Sequence, residues 1–547
     1  MSEDRLPDDR AHAALLVEAP PHTVLGILSR LGPGLIIAGS IVGSGELIAT
    51  TNTGATAGFT LLWLIILGCV IKVWVQVELG RYTMASGNTT MQAINSTPGP
   101  AISLGRNALG EETRVNWMSI YWLIMFLVSL GQLGGIVGSV GQGMAIMWPI
   151  TQAGREYNEA VDARTKLVLK THITQAKLEA AADNEKPPLE NQIESDRAQI
   201  KLYDAQLVGT EEKPGLGVGV RDTELWATLV TAVTTVVLVL GRYKIIEVLS
   251  TVLVAGFTLV SVLTVVLLQL QPEYAISSQE VLSGLSFQLP PETARGAPIV
   301  VALATLGIIG VGANELIQYP YWCLEKGYAR FTGPRDSSPQ WAERARGWLR
   351  VLKWDAMCSM VVYTFATICF YLLGAAVLGR LHLIPENKDM IRTLAVMYEP
   401  VFGPWTPALF LLGAFAVLYS TFLIANAGHA RVCADAVFVF RGRRADRAGE
   451  RKWVRIFSGI FPPLCLAIFI IYPDPKALVL ASGVMQAIML PMLSFTAIYF
   501  RYARIDPRLA PSKTWDAFLW LSGIVMLITG LWLAYAKFFE LKSVFWT

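Results

Sequence analysis

Residues 42–48 read Val-Gly-Ser-Gly-Glu-Leu-Ile, and residues 311–317 read Val-Gly-Ala-Asn-Glu-Leu-Ile. Each stretch lies inside a long apolar segment. Glycine is a poor helix former, and backbone groups at bilayer depth must find their hydrogen bonds within the protein. The repeated pattern therefore predicts two membrane helices that break at corresponding positions, with Glu46 and Glu315 beside the breaks.

The composition supports a membrane protein. Of the 547 residues, 53% are hydrophobic and only 16% are charged, whereas soluble domains carry about 25% charged residues. About 20 apolar residues cross a bilayer, and the chain has eleven candidate segments of this kind. The predicted spans are 31–55, 58–82, 115–148, 224–241, 246–270, 297–322, 354–380, 404–437, 453–472, 476–500 and 515–537.

Lysine and arginine are distributed unevenly between the connecting loops. They are frequent in every second loop, and they are scarce in the loops near 271–296, 381–400 and 473–475. Cytoplasmic loops of membrane proteins are enriched in these residues. The distribution predicts a cytoplasmic tail over residues 1–30 and, in a bacterial cell, an inner-membrane location.

Residues 152–213 form the one long segment that does not resemble a membrane span. They are charged and rich in helix-forming residues, and the run Glu-Lys-Pro-Pro at 185–188 divides them. Ile193, Ile200 and Leu207 recur at seven-residue spacing in the second half. We expect an outward helical hairpin, which is either a solvated insertion or a binding site for a protein partner.

The breaks predict a cation-binding site. A charged residue at bilayer depth costs at least about 2.5 kcal/mol, so it is expected to face protein or a water-filled cavity. Unwound backbone beside a buried carboxylate offers carbonyl oxygens and a negative charge together. The predicted metal- or substrate-binding residues are Glu46, Glu315, Gly43, Ser44, Gly312 and Asn314. The alternative, that the glycines only permit close helix packing, does not explain the repeated glutamates.

Other polar residues of the spans are given supporting roles. The residues predicted to support the site or to couple protons to it are Asn52, Gln318, Gln486 and His429. Glu78 and Arg81 are one helical turn apart and are predicted to pair. Asp355 is predicted to form a salt bridge with Lys353.

Three stretches carry a resemblance to a known family. They are Gly-Pro-Gly at 32–34, the run 54–63 with Gly-Ala-Thr-Ala-Gly-Phe at its start, and Ser-Gly-Val-Met-Gln-Ala-Ile-Met-Leu-Pro at 482–491. The chain resembles the Nramp-type divalent-metal transporters. The resemblance implies an all-α polytopic protein with the LeuT-like fold and transport by alternating access. Two inverted five-span repeats, 31–270 and 297–500, would be followed by an eleventh helix at 515–537.

The chain departs from the family at the breaks. The family's Asp-Pro-Gly-Asn corresponds to Gly-Ser-Gly-Glu at 43–46, and its Met-Pro-His-Asn corresponds to Gly-Ala-Asn-Glu at 312–315. The third span carries no acid at 129–138, where the family has proton-relay residues. The methionine that favours soft metals is therefore absent, and oxygen ligands suit hard cations such as Mg²⁺, Mn²⁺ or Ca²⁺.

The expected function is secondary active transport of a divalent cation, with proton coupling through the two glutamates. Two alternatives stay open: a small organic cation as substrate, with Tyr419 or Trp322 as aromatic surface, and a non-transporting sensor. The sequence shows no nucleophile–base constellation or nucleotide motif, so we expect neither an enzyme nor a permanently bound cofactor. A net charge of +3 gives no reason to expect a nucleic-acid partner.

Overall fold

Helices make up most of the computed structural model. It describes residues 17–106, 110, 112–180, 186–209, 215–217, 219–240, 243–290, 296–385, 390–403, 406–443 and 446–545. Within these ranges, ten helices are long and apolar enough to cross a membrane. The remaining predicted span, 246–270, corresponds to the helix Tyr243–Leu268, whose described apolar part is Ala255–Leu268. The prediction of a polytopic helical membrane protein is confirmed.

The spans are numbered along the chain from 1 to 11. Their bounds are Pro33–Ala57, Leu62–Ser86, Trp117–Met147, Asp222–Leu240, Tyr243–Leu268, Gly296–Ile308 with Ala313–Lys326 (span 6), Pro339–Gly379, Thr406–Phe440, Arg447–Ile471, Pro475–Ala503 and Lys513–Phe545. A short helix, Val24–Leu28, precedes span 1. Other short helices lie between the spans at Thr90–Asn95, Ser278–Leu285, Tyr328–Thr332, Met390–Val396, Glu399–Phe402 and Pro507–Leu509.

Both predicted breaks are present. Span 1 consists of an α-helix over Pro33–Ile41, a π-helical segment over Ser44–Thr50 and a second α-helix over Thr51–Ala57. In span 6, the first helix ends at Ile308 and the second begins at Ala313. Gly310 lies between them with φ +56°, a left-handed conformation that favours glycine. The glycines therefore mark real interruptions of the helices.

The first residues of span 1 are held by Asp355 of span 7. The Asp355 carboxylate accepts hydrogen bonds from the backbone N–H of Gly32, at 2.9 Å, and of Gly34, at 2.6 Å. The prediction that Asp355 pairs with Lys353 is wrong, because the Lys353 ammonium lies 4.6 Å from the ring centre of Trp515. A helix N-terminus has unpaired N–H groups and a positive dipole, and it attracts the carboxylate.

The predicted pairing of Glu78 with Arg81 is confirmed. The two buried side chains of span 2 form a hydrogen-bonded ion pair, with the Arg81 Nε 3.0 Å from each carboxylate oxygen of Glu78. The indole of Trp515 in span 11 also donates to Glu78 at 2.6 Å. The pair therefore joins span 2 to span 11, which explains why it is stable in a buried position.

The predicted helical hairpin is also confirmed. Helices Gln152–Ala180 and Lys186–Val208 pack against each other. Ion pairs join Arg164 to Asp204 at 2.5 Å and Lys170 to Asp196 at 3.1 Å, in an antiparallel order. Residues 181–185 of the predicted connection, and 210–213 at its end, lie outside the described residues.

One element was not expected from the sequence. Two antiparallel strands, Ala101–Arg106 and Glu112–Asn116, follow span 2 and lead into span 3. The first strand is exposed along its whole length, including the apolar side chains of Ile102 and Leu104, so its short alternation of apolar and polar residues does not mark a face packed on the core.

We predict that Asp506, in the loop between spans 10 and 11, stabilises the contact of this loop with the loop before span 7, and that this stabilisation depends on pH. Its carboxylate accepts hydrogen bonds from Arg508 and lies 2.9 Å from Arg335 of the loop before span 7, which lowers the pKa of Asp506 to about 2. An unfolded aspartate has a pKa of about 3.9. The stabilisation is therefore present above pH 4 and is lost as the pH falls toward 2.

Asp506→Asn should accordingly lower the free energy of unfolding at pH 7 by about 1 kcal/mol, a value between those of exposed ion pairs and of buried charged hydrogen bonds. The difference in Tm between variant and wild type should shrink as the pH is lowered. Glu112→Gln, which removes an exposed pair with Arg114, is the control. A pH-independent difference would contradict the prediction.

Candidate cation site between spans 1 and 6

Glu46 lies in the π-helical segment of span 1 and is completely buried. Its Oε1 accepts hydrogen bonds from the backbone N–H of Gly310, at 3.2 Å, and from the hydroxyl of Thr367 in span 7, at 3.3 Å. Its Oε2 has no hydrogen-bond partner among the described residues. One oxygen of Glu46 therefore fastens the break of span 1 to the break of span 6, and the other remains available to a ligand.

Lys72 of span 2 lies at the break of span 6 and was missed by the sequence analysis. Its completely buried ammonium donates to the backbone carbonyl of Ile309 at 2.7 Å and to that of Leu306. A lysine in the middle of an apolar span was a sufficient signal, because charged residues there are rare and usually functional.

Glu315 occupies the first turn after the break of span 6. Its Oε1 accepts a hydrogen bond from the Ser40 hydroxyl of span 1 at 3.1 Å. Among the described residues, Glu315 and Glu46 share no hydrogen-bond partner. The two carboxylates therefore belong to one region but are held by different elements, Glu46 by spans 6 and 7 and Glu315 by span 1.

Three oxygens converge beside Gly312. A Cβ atom at this glycine would overlap Glu315 Oε2, and it would lie 2.8 Å from Gln486 Oε1 and 3.5 Å from the carbonyl oxygen of Gly307. The contacts to Glu315 and Gln486 are too short for carbon. The oxygens thus occupy the space of a side chain, and glycine is the residue that permits this arrangement.

A chain of hydrogen bonds joins the two breaks through spans 3 and 10. The Gln132 amide donates to the Ser44 hydroxyl at 2.9 Å, and its carbonyl accepts from the Gln486 amide at 2.6 Å. The Gln486 carbonyl in turn accepts from the backbone N–H of Asn314 at 3.4 Å. The structure therefore brings Ser44, Asn314 and Gln486 together, and it adds Gln132, which the sequence analysis did not single out.

The other predicted residues occupy varied positions. Gln318 and His429 contact each other, with the Gln318 Nε2 3.2 Å from the His429 Nδ1. The Oδ1 of Asn52 is buried and lacks a hydrogen-bond partner among the described residues. Gly43 lies directly against Thr421 of span 8, so close that a Cβ atom at Gly43 would overlap the Thr421 hydroxyl. Gly43 therefore allows the break to pack closely on span 8.

The donor set consists of oxygens. In the described part of the chain, no three histidine, cysteine, aspartate or glutamate residues form a cluster that could hold a metal ion. The cysteines at 69, 323, 358, 369, 433 and 465 are free. The polar groups around the two breaks therefore offer carboxylate, amide, hydroxyl and backbone oxygens.

Comparisons with known proteins agree with this architecture. The sequence profile of the natural resistance-associated macrophage protein-like (Nramp) family matches residues 215–536, which is more than half of the chain. A search of curated proteins found no match.

Solved structures with a similar fold include those of a manganese transporter from Eremococcus coleocola. A mutant form of that transporter and its complex with an aromatic bis-isothiourea substituted compound each align with a TM-score of 0.57 at 14% identity. Each alignment covers 94% of this chain and 88% of the other. At this identity the likeness shows the fold, which is LeuT-like.

We predict that Gln132 is required to hold the two breaks together. Gln132→Leu should remove the bridge between Ser44 and Gln486 and leave buried polar groups unpaired, at a cost of about 1–3 kcal/mol. Thermal unfolding of the purified protein measures this loss. Gln152→Leu on the exposed surface of the hairpin is the control and should change stability by less than about 0.5 kcal/mol. Equal Tm values for the two variants would refute the bridge.

Proposed function

The chain belongs to the Nramp family of membrane transporters, and from this premise we propose that it carries a hard divalent cation, of the class of Mg²⁺, Mn²⁺ or Ca²⁺. The proposal includes secondary active transport by alternating access, proton coupling and an amino terminus in the cytoplasm. The substrate would bind between the broken spans 1 and 6, at the oxygens described above.

The arrangement around Gly312 is the observation that carries this proposal. Gly312 corresponds to the family's methionine, whose thioether favours soft transition metals. Here the space of that side chain holds oxygens of Glu315, Gln486 and Gly307. Carboxylate oxygens together with neutral amide and carbonyl oxygens suit Mg²⁺, Mn²⁺ and Ca²⁺, which bind oxygen at about 2.0–2.6 Å. Replacement of sulfur by oxygen therefore favours a hard cation.

We propose Glu315 as the principal ligand. Its Oε2 lies beside Gly312, together with Gln486 Oε1 and the carbonyl oxygen of Gly307. We call these three oxygens the oxygen cluster. Glu46 would contribute its unpartnered Oε2, and Ser44 its hydroxyl. Gly43 and Asn314 would contribute backbone groups at the breaks, and Gly312 leaves the space open. Asn52, Gln318 and His429 would support the site from a greater distance.

We predict that both glutamates are needed for uptake. Glu315→Gln and Glu46→Gln should each reduce the uptake of Mn²⁺ into proteoliposomes at least about tenfold, because each variant removes one negative charge from a site of low dielectric constant. Glu325→Gln is the matched control, since Glu325 lies on the same helix but pairs with Arg431 away from the breaks. This control should transport like the wild type.

Two results would contradict the proposal. If the wild-type protein transports none of Mg²⁺, Mn²⁺ and Ca²⁺, the proposal of a divalent substrate is wrong, and a small organic cation or a sensor function is favoured. If both glutamine variants take up the ion normally, the proposed binding site is wrong. Competition by Cd²⁺, a softer ion, should be weak in the wild type, because the proposed ligands include no sulfur.

A second prediction concerns the glycine itself. Gly312→Ala should reduce uptake, because the added methyl group would displace Glu315 Oε2 and Gln486 Oε1 from their positions. Gly143→Ala in span 3 is the control, since a Cβ atom there would contact nothing within 4 Å. Uptake by Gly312→Ala at the wild-type rate would show that the oxygen cluster is not the substrate site.

A further inference from the structure

The ammonium of Lys72 is bound as a small cation would be bound. Two backbone carbonyls, those of Leu306 and Ile309, receive its hydrogen bonds at the point where the first helix of span 6 ends. The carbonyl end of a helix carries a partial negative charge, and its last carbonyls lack partners within the helix. In membrane transporters, such carbonyls at broken helices coordinate cations.

The peptide group between Ile309 and Gly310 joins this lysine to Glu46. Its carbonyl accepts a hydrogen bond from Lys72, and its N–H donates one to Glu46. In an uninterrupted α-helix, the Gly310 N–H would instead bond to the carbonyl of Leu306. Glu46 therefore accepts the hydrogen bond of the Gly310 N–H, and the Leu306 carbonyl accepts one from the Lys72 ammonium instead.

Charge and shape also fit a cation. An ammonium is a compact point charge that donates hydrogen bonds and accepts none, so it requires surrounding oxygens. The carbonyls of Leu306 and Ile309 meet this requirement directly. Glu46 supplies the opposing charge across the peptide group between Ile309 and Gly310, and its second oxygen is unpartnered within the described residues. Without the lysine, a cavity lined by carbonyl oxygens would face a carboxylate.

We propose that Lys72 is a built-in monovalent cation, occupying a site at the break of span 6 that would otherwise bind Na⁺ or K⁺. The break of span 6 is therefore held against span 2 in every ionic condition. Transport consequently needs neither ion. This inference concerns the ammonium and its carbonyls, and it holds whatever the transported substrate is.

Chemical replacement of the ammonium tests the proposal. Lys72→Ala removes the cation and leaves a cavity beside the two carbonyls. The Tm of the purified variant is measured in Na⁺, K⁺, methylammonium or N-methylglucamine chloride at equal ionic strength. We expect a Tm several degrees below that of the wild type in N-methylglucamine, and a saturable recovery in at least one of the three smaller cations. The wild type should have the same Tm in all four salts.

Two variants separate this effect from general salt stabilisation. Lys72→Met removes the charge but fills the cavity, so it should be destabilised and should not recover. Lys353→Ala removes a lysine whose ammonium lies over the Trp515 ring, and its Tm should not depend on the cation. Recovery of either control to the same extent as Lys72→Ala would overturn the proposal.

Other outcomes also decide the matter. Wild-type stability of Lys72→Ala in N-methylglucamine, or the absence of recovery in all three smaller cations, overturns the proposal. If Lys72→Ala cannot be purified in any of these salts, the wild type still provides a test, because a Tm raised specifically by Na⁺ or K⁺ contradicts an already occupied site. These measurements use no divalent cation, so a failure of the proposed transport function would be seen separately.

Discussion

Backbone groups within a bilayer must find hydrogen-bond partners inside the protein, and this requirement governs the structure around its two broken helices. Each break releases N–H and carbonyl groups that a continuous helix would pair. The protein satisfies them with side chains from other spans. Lys72 and Glu46 hold the peptide at 309–310, and Gln486 accepts from the Asn314 N–H. The start of span 1 depends in the same way on Asp355. The polar side chains that surround the breaks are thus consequences of the breaks.

This dependence explains what the sequence predicted and what it did not. Length and apolarity identify a span, and glycines beside a glutamate identify a break, because these signals are local. The charge of Lys72 within an apolar span was a local signal that could have marked it as functional. Which face of span 2 meets span 6 is not a local property, so its carbonyl partners could not be assigned. Asp355 shows the same limit. Its neighbour Lys353 is two residues away, a spacing at which helical side chains do not face each other. Its actual partners are Tyr319, 36 positions away, and the N–H groups of Gly32 and Gly34, more than 300 positions away.

Gly312 connects the fold to the proposed substrate site. Its lack of a side chain lets carboxylate and amide oxygens approach the backbone. The same hydrogen-bonded residues also hold the breaks together, since Gln486 contacts Gln132 and the backbone of Asn314. A side chain at position 312 would therefore disturb the contacts of spans 3 and 10 as well. In the proposed site, the arrangement of ligands would depend on more than one residue.

The charges at the breaks give the two glutamates different roles. Lys72 compensates Glu46 through the peptide at 309–310, whereas the hydrogen bond to Glu315 comes from the neutral hydroxyl of Ser40. In the proposed site, Glu315 would be the carboxylate that faces the substrate without sharing a peptide group with Lys72, and amide and carbonyl dipoles would add to its attraction. A divalent ion in such a site would be held less tightly than between two free carboxylates. Moderate binding serves a transporter, because an ion that enters from one side of the membrane must also leave on the other.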